Sequence, residues 1–389
     1  MEEITNIKIS ELCSKVCSGG TPKSSVPSYY DGNIPWLNTK EINFNRIYST
    51  EKSITEDGLN NSSAKWIDKN AVIVAMYGAT AGKTAISKIP LTTNQACCNL
   101  MIDADKADYR FVYYALVSEY NRLASLANGG AQQNLNAQQI KDFEIPFFSL
   151  KDQKRIANIL STLDDKIELN RRINDNLEQQ AQAWLNELLD RYANSTTVLI
   201  HEIAEINPKR NLSKGTSAKC IEMANLPTTG SFPNGWIEKE YNGGMKFCNG
   251  DTLIARITPC LENGKTAFIN FLDKNEIAYG STEYIVISAK SNYSSSFFYF
   301  LARNHDFVDY AVKNMNGSSG RQRVSGDTIS KYRIPVIPRE KLESFTNHAE
   351  IALKTIKNNS LQNMRLSMTR DALLPKLMSG ELKVNDLNS

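Results

Sequence analysis

The sequence has little of what metal sites and acid–base catalysis require. It contains three histidines, His201, His305 and His348, and none has a neighbour at metal-ligand spacing or a nucleophile pattern around it. It also lacks a glycine-rich nucleotide fingerprint after a strand, a methyltransferase motif of the Asn-Pro-Pro-Tyr type and an acidic cluster typical of nucleases. We therefore expect a non-catalytic chain that binds no metal and no cofactor.

Cysteine and long apolar runs are equally scarce. The seven cysteines are odd in number and have no CxxC spacing, which argues against a disulfide framework and against a zinc site. No apolar run approaches the ~18 residues that a bilayer span needs. The amino terminus, MEEITNIKIS, has no apolar core of a signal peptide. These absences predict a soluble, cytoplasmic protein without a membrane partner.

An excess of one charge is also missing. The 45 basic and 42 acidic residues give a net charge of +3, which by itself indicates no class of partner. The length of 389 residues exceeds that of a usual single domain, so more than one hydrophobic core is expected.

The sequence does contain an internal repeat. The segment Glu144–Phe147, followed by a long helical pattern, recurs 189 positions later as Arg333–Val336, with a second helical pattern after it. Apolar residues in the first pattern alternate at steps of four and three, as in a heptad seam. The seam positions are Ile156, Leu160, Leu163, Ile167, Asn170, Asn174, Leu177, Ala181, Trp184 and Leu188, and their counterparts are Phe345, Ala349, Ala352, Ile356, Asn359, Asn363 and Leu366.

Both seams contain two consecutive asparagine layers. A helix over residues 151–190 would be roughly 60 Å long at 1.5 Å per residue, too long to be covered by one small domain. We therefore predict that the two helices pair with each other, antiparallel, so that Asn170 faces Asn363 and Asn174 faces Asn359. Amides in an apolar seam cost stability but disfavour other alignments, so these four residues are expected to set the register.

The repeat divides the chain into globule, helix, globule, helix. The predicted boundaries are residues 1–149, 150–193, 194–338 and 339–389, the last block including a carboxy-terminal tail. Short β-branched runs at 71–75, 252–255 and 283–287 and helical stretches near 110–127 and 296–314 indicate an α+β protein. Its two globules mix α and β structure, and the repeat predicts a pseudo-two-fold relation between the halves.

Each globule contains a Gly-Lys-Thr turn after a predicted strand. The segment Gly78–Thr84 resembles a P-loop but has three residues between its glycines where the P-loop has four. The second turn has Pro259, which offers no N–H, at the position of the first P-loop glycine. We interpret both turns as strand-loop-strand hairpins that present a cation and a hydroxyl to DNA: Lys83 with Thr84, and Lys265 with Thr266. A solvated hairpin tip is the alternative.

A glycine-rich polar loop precedes each Ile-Pro step, at 128–134 and at 316–323. At the 189-residue offset, Gln133 corresponds to Gln322 and Asn134 to Arg323. Glutamine and asparagine pair with adenine, and arginine with guanine, in the major groove. The two loops are therefore candidate sequence readers, each with different side chains; an ordinary surface connection is the alternative.

Further short motifs follow one another in a fixed order. In the first half they are Ile7–Leu12, Gly19–Lys23, Gly32–Trp36, Gly78–Ile86, Thr93–Gln95, Asn134–Asn136 and Asp152–Ile156, and the tail contains Leu373–Leu382. In this order they resemble the specificity subunit of type I restriction-modification systems over nearly the whole chain. The second half departs from the pattern, because it lacks equivalents of Gly-Gly-Thr-Pro and Ile-Pro-Trp.

The resemblance implies two target-recognition domains, each of which reads one half of an asymmetric bipartite site on double-stranded DNA. The paired helices would set the unread gap. Two modification subunits, which use S-adenosylmethionine to methylate adenine, would dock around the helices. Restriction subunits that use ATP and magnesium would join them. Catalysis and cofactors would then belong to the partners.

We expect 14 residues to lie near DNA, with lysines fixing position and the glycine-rich loops reading sequence. They are Lys23, Asn38, Lys40, Lys83, Thr84, Gln132, Gln133 and Asn134 in the first half, and Arg256, Lys265, Thr266, Arg321, Gln322 and Arg323 in the second. Three rival functions remain: the recognition subunit of another bipartite restriction class, a coiled-coil adaptor that binds protein, and a nucleotide hydrolase built on Gly82-Lys83-Thr84.

Overall fold

A computed structural model describes residues 5–127, 134–290, 293–318 and 320–383. The chain forms two compact units. Unit 1 comprises residues 1–165 and 366–389, and unit 2 comprises residues 166–365. The division falls within two long helices, α5 (Leu150–Arg191) and α10 (Arg339–Met378), so each unit contains part of both.

Unit 1 is built mainly of short strands with a few helices. The strands are β1 (Asn6–Lys8), β2 (Cys13–Ser18), β3 (Tyr30–Leu37), β4 (Asn45–Ile47), β5 (Lys52–Ile54), β6 (Trp66–Ile67), β7 (Val72–Ala75), β8 (Thr84–Ser87), β9 (Leu91–Thr93), β10 (Cys97–Ile102) and β11 (Glu144–Pro146). The shorter helices are α1 (Glu56–Asn60), α2 (Tyr109–Ser118), α3 (Tyr120–Ser125) and α4 (Ala137–Asp142).

The strands of unit 1 form two larger sheets and one two-stranded ribbon. The first sheet has the order β2-β10-β7-β8-β4, the second has the order β5-β3-β9-β6, and β1 pairs with β11. In the second sheet the central strands β3 and β9 are parallel, so their carboxyl ends lie at the same edge. Two of the predicted site residues of the unit, Asn38 and Lys40, directly follow β3 at this edge.

Unit 2 has the same kinds of element. Its strands are β12 (Thr197–Leu199), β13 (Ala204–Ile206), β14 (Ser217–Ile221), β15 (Ile237–Glu240), β16 (Met245–Phe247), β17 (Thr252–Ala255), β18 (Thr266–Phe268), β19 (Ala278–Gly280), β20 (Tyr284–Ala289) and β21 (Arg333–Pro335). Its shorter helices are α6 (Ile200–Ile203), α7 (Ser295–Ala302), α8 (His305–Lys313) and α9 (Gly326–Ser330).

The sheets of unit 2 repeat those of unit 1. The order β13-β20-β17-β18 corresponds to β2-β10-β7-β8, and β15-β14-β19-β16 corresponds to β5-β3-β9-β6. The central pair β14 and β19 is parallel, like β3 and β9, and β12 pairs with β21 as β1 pairs with β11. The predicted mixed α and β architecture in two repeated halves is confirmed.

In unit 1, both long helices contribute to the core. Ile156 and Leu160 of α5 and Leu377 of α10 are buried in the cluster that covers α2 and the first sheet. Asp164 of α5 accepts hydrogen bonds from Arg370 of α10 at 2.7 Å and from the Tyr114 hydroxyl of α2 at 2.5 Å. The helices are therefore joined to each other and to the globule by apolar packing and by a shared carboxylate.

In unit 2, the helices pair through the asparagine layers. Asn170 Nδ2 donates to Asn363 Oδ1 at 2.8 Å, and Asn359 Nδ2 donates to Asn174 Oδ1 at 2.8 Å. Asn170 is fully buried. The helices are antiparallel, because residue numbers rise along α5 as those of the α10 partners fall. Each asparagine thus faces the partner that the heptad pattern predicts, and the role of these layers in setting register stays a prediction.

Two of the predicted helices are each split into two. The stretch near 110–127 forms α2 and α3, and that near 296–314 forms α7 and α8. Between α7 and α8, the Asn304 side chain accepts from the N–H groups of Asp306 and Phe307. Because an amide that caps a new helix competes with continuation of the old one, the break follows from Asn304.

We expect the double change Asn170→Leu and Asn363→Leu to keep the helices paired but to broaden their register. Replacing buried amides by leucine is neutral or stabilising by about 1 kcal/mol or more, while the penalty against slipped alignments disappears. Cysteines introduced as Asn174→Cys and Asn359→Cys report the register through the yield of the disulfide between them, which forms only when these two positions face each other. The same cysteines in a chain that keeps Asn170 and Asn363 are the control and should give the higher yield. Equal yields in both proteins would show that Asn170 and Asn363 do not set the register.

Candidate nucleic-acid interface

The edge of unit 1 where β3 and β9 end is organised by a short turn after β3. Asn94 N donates to Leu37 O at 3.0 Å, which joins the ends of the two strands. Asn38 then caps a 3₁₀ turn: its Oδ1 accepts from Lys40 N at 3.3 Å, and its own N–H donates to the Glu41 carboxylate at 2.9 Å. The Asn38 side chain therefore shapes the turn, and Lys40 is exposed and forms an ion pair with Glu51.

The Gly19–Lys23 segment is fixed to the same edge. Gly20 N donates to Thr93 O, at the end of β9, at 2.8 Å, and Trp36 Nε1 donates to Gly20 O at 2.9 Å. A Cβ atom on Gly20 would lie 2.1 Å from Ala64 N, a backbone atom, so no larger residue fits there. This close approach explains the glycine. Lys23, three residues later, is exposed.

The loop between β7 and β8 is the predicted hairpin. Gly82 N donates to Ala75 O at 2.8 Å and Ala75 N donates to Lys83 O at 2.9 Å, which closes the loop. It leads into β8, which pairs antiparallel with β7, whereas a P-loop opens a helix. Lys83 Nζ donates to Asn43 Oδ1 at 2.8 Å. That acceptor is neutral, so the bond positions the ammonium group without cancelling its charge.

Asn134 lies against the end of β7. It forms an isolated β-bridge with Tyr77, and Leu135 N donates to Met76 O at 2.7 Å. Asn134 is exposed, and Tyr77 is 44% exposed. Gln132 and Gln133 lie outside the described residues. The hairpin and the end of the glycine-rich loop, two separate predicted motifs, thus meet at one strand end.

Unit 2 repeats this arrangement with other side chains. Arg323 forms a β-bridge with Ile257, as Asn134 does with Tyr77, and Val324 N donates to Arg256 O at 3.0 Å. Arg256 N donates to Glu283 O at 2.9 Å, as Met76 N does to Ala96 O at 2.8 Å. Asn134 and Arg323 therefore occupy equivalent positions, as the 189-residue offset predicts.

Lys265 is the structural counterpart of Lys83. Ala255 N donates to Lys265 O at 3.0 Å, and Lys265 Nζ donates to Met223 O, just after β14, at 2.6 Å. Each lysine thus reaches from its hairpin to the segment that follows the first strand of the parallel pair, β3 in unit 1 and β14 in unit 2. In both cases the acceptor is an uncharged oxygen.

The expectation of surface hydroxyls is wrong for both threonines. Thr84 is 0% exposed and Thr266 is 1% exposed, because they open β8 and β18 and their side chains lie in the sheet interior. The Thr84 hydroxyl donates to Gly82 O at 3.3 Å. Thr84 stabilises the hairpin, and neither hydroxyl is on the surface to contact DNA.

The loop before α9 is closed by backbone bonds. Arg323 N donates to Asn316 O and Asn316 N donates to Arg323 O, both at 2.9 Å, and Thr258 N donates to Gln322 O at 3.0 Å. Arg321 is exposed at the turn of this loop, and Gln322 is partly buried. The structure thus brings the predicted residues of unit 2 together around the end of β17.

Sequence reasoning missed Glu283, which lies just before β20. Its carboxylate accepts from Arg323 Nε at 2.9 Å and from Arg323 Nη2 at 2.8 Å, and Arg256 Nε lies 3.7 Å from Glu283 Oε2. The hydrogen bonds from Arg323 hold the pKa of Glu283 below its usual value. The partners are 40 residues apart and share no local pattern, so the only available signal was an acid at the start of a predicted strand.

Comparison with known proteins finds similarity to one family. Residues 1–179 match the family model described as "Type I restriction modification DNA specificity domain". The chain is thus similar to type I specificity subunits. The MjaIX specificity subunit of Methanocaldococcus jannaschii is 29% identical, and the match covers 98% of this chain and 94% of that protein. The EcoR124I/EcoR124II specificity subunit of Escherichia coli is 28% identical over 38% of this chain and 37% of that protein.

The fold also matches a solved structure of the same kind. The crystal structure of a type I S subunit from M. genitalium has a TM-score of 0.59 at 19% identity, with 97% of each chain covered. Specificity subunits are the non-catalytic components of type I systems, so the predicted resemblance and the predicted lack of catalysis are confirmed by these relatives. In outline, then, the chain is a DNA target-recognition subunit of a type I complex.

Two further features of this specificity subunit concern metals and membranes. Across the described ranges, no group of three or more histidine, cysteine, aspartate or glutamate residues is placed to hold a metal ion. Within that same part of the chain, no helix is long and apolar enough to cross a membrane.

We expect the Glu283–Arg323 pair to make the stability of the specificity subunit depend on pH. Because the folded-state pKa of Glu283 is lowered, the pair stabilises the fold above the unfolded pKa of about 4.3, and this contribution is lost as pH falls through the folded value. Glu283→Gln should therefore lower the free energy of unfolding at pH 7, and the deficit should shrink towards pH 3. Denaturant titrations of both proteins at the two pH values measure this. An equal deficit at both would mean that the carboxylate charge contributes nothing.

Proposed function

We propose that this specificity subunit reads an asymmetric bipartite site on double-stranded DNA, one half-site with each sheet-rich domain. The two target-recognition domains would be residues 1–149 and 194–338. Residues 150–193 would form the first spacer helix, and residues 339–389 the second with its tail. The duplicated edge, with a lysine and a reader residue at equivalent places in each unit, is the observation that carries this proposal.

The chemistry of the two edges supports different half-sites. In unit 1 the reader position holds Asn134, an amide, which suits adenine. In unit 2 it holds Arg323, which suits guanine. The neighbouring bridge residue also differs, Tyr77 in one unit and Ile257 in the other. A site read by two such edges has unlike halves, so it is asymmetric.

Lys83 and Lys265 are proposed to contact phosphates. Each ammonium is held by an uncharged oxygen, so its charge is available to attract the DNA backbone. Such contacts fix the position of a protein on the duplex without selecting a sequence. This accounts for a near-neutral chain that nevertheless binds DNA at two limited surfaces.

We further propose that the subunit assembles with two modification subunits and with restriction subunits, in the cytoplasm. S-adenosylmethionine would be used by the modification subunits, and ATP and magnesium by the restriction subunits. In this scheme the chain contributes binding and orientation, and bond making and breaking occur in its partners.

The proposal is tested by co-expressing the chain with the modification subunit encoded beside it, in a host without adenine methylation. Sequencing the DNA for methylated adenines should reveal one bipartite motif with two different halves. The modification subunit expressed alone is the control. If both proteins co-purify and no adenine is methylated, the chain is a protein adaptor and the proposal fails. A continuous or palindromic motif would contradict the assignment of one half-site to each domain.

Positioning and reading should separate by mutation within unit 1. Asn134→Ala should relax one base position of one half-site only and leave the other half-site unchanged, because it removes a base-edge contact. Lys83→Ala should weaken binding on all sequences alike and reduce the dependence of binding on salt, because it removes a phosphate contact. Motif sequencing and binding isotherms at two salt concentrations distinguish the two. Equal losses on every sequence from both changes would contradict this division.

A further inference from the structure

Arg323 is held by more bonds than its place in a surface loop requires. Its backbone N–H and C=O both bond to Asn316 at 2.9 Å. The side chain is 38% exposed, yet it makes a two-nitrogen contact with Glu283, and its Nη1 donates to Arg321 O at 3.1 Å. Both the backbone and the guanidinium group are therefore fixed before any ligand binds.

Some N–H groups of the Arg323 guanidinium remain available to a ligand. A guanidinium has five N–H groups. Glu283 receives the Nε–H, shared between its two oxygens at 2.9 Å each, and one N–H of Nη2. Arg321 O receives one N–H of Nη1. One N–H on each terminal nitrogen of Arg323 is unused by these bonds, and arginine reads guanine by donating two hydrogen bonds to O6 and N7.

The acid is present only in the half that has the arginine. The position equivalent to Glu283 is Ala96 in unit 1, and the position equivalent to Arg323 is Asn134. An amide reader requires no counter-charge, whereas a long cationic side chain gains from a carboxylate that restricts its rotamers. The local charge stays positive in unit 2, because Arg256 also lies beside Glu283, with Nε 3.7 Å from its Oε2.

We infer that Arg323 reads a guanine in the half-site of unit 2 and that Glu283 is the positioning residue that fixes its guanidinium for this contact. This inference rests on the proposed function. Glu283 touches the reader and not the DNA base, so its effect is on selectivity at one base pair. Holding the fork in place reduces the rotamer entropy that Arg323 loses on binding.

The test uses the full chain in complex with its modification subunit and reads the methylated motif by sequencing. The wild-type motif should contain a guanine in the half-site assigned to unit 2. Glu283→Gln should lower the preference for that guanine at least about fivefold and leave every other position unchanged. Arg323→Lys should relax the same position, because a flexible ammonium group lacks the planar fork that Glu283 holds in place.

A matched control comes from another ion pair of unit 2. Lys219 Nζ donates to both Glu276 oxygens, at 2.7 and 2.8 Å, and the two side chains are 18% and 22% exposed. Glu276 precedes β19, at the opposite end of that strand from Glu283. Glu276→Gln removes a comparable pair and should leave the motif unchanged. Glu283→Asp, which keeps the charge, should retain more guanine preference than Glu283→Gln.

The outcomes separate the inference from the function on which it rests. If the wild type yields no bipartite motif, the proposed function fails. If the motif exists but Arg323→Lys leaves it unchanged, or if the affected base pair is not G·C, Arg323 does not read guanine and the inference is wrong. If Arg323→Lys relaxes the position while Glu283→Gln does not, the positioning role is wrong. Equal loss of methylation in Glu283→Gln and Glu283→Asp would mean that packing is the cause, and would also overturn it.

Discussion

Three backbone hydrogen bonds at the end of β7, repeated at the end of β17, decide which side chains meet at each edge. In unit 1 they join Ala75 to Lys83, Met76 to Ala96, and Met76 to Leu135. In unit 2 they join Ala255 to Lys265, Arg256 to Glu283, and Arg256 to Val324. Backbone groups make these bonds whatever side chains they carry, so the residues beside them can change without loss of the fold. The same backbone arrangement can therefore hold different side chains at the two edges.

The long helices were the most predictable part of the fold, because a heptad seam is a local pattern. Asn170 and Asn174 face Asn363 and Asn359 as that pattern requires, and polar residues at seam positions are informative because apolar ones are interchangeable. The equivalence of Asn134 and Arg323 could also be predicted, since both lie a fixed distance before an Ile-Pro step. These predictions depended on spacing within one continuous segment.

Predictions that depended on side-chain direction or distant contacts were less successful. Thr84 and Thr266 follow a lysine in a turn, yet they begin β8 and β18, strands in which every residue is buried. Glu283 was missed because its partner Arg323 is brought close only by the pairing of β17 with β20 and by the bridge from Ile257 to Arg323. Neither the burial of the two threonines nor the contact between Glu283 and Arg323 follows from a local pattern, since both arise from strand pairing between distant segments.

The basic residues of the two edges differ in whether the group to which they bond is charged. Lys83 and Lys265 bond to uncharged oxygens, which leave their charge uncancelled, as the proposed phosphate contacts require. Arg323 bonds to a carboxylate, which reduces its attraction for phosphate but orients its remaining donors. A cation that must read a base gains more from direction than from charge, because phosphate attraction is the same at every sequence. A near-neutral chain is therefore compatible with the proposed DNA recognition, because Lys83, Lys265 and the oriented Arg323 lie at the strand ends proposed to contact DNA.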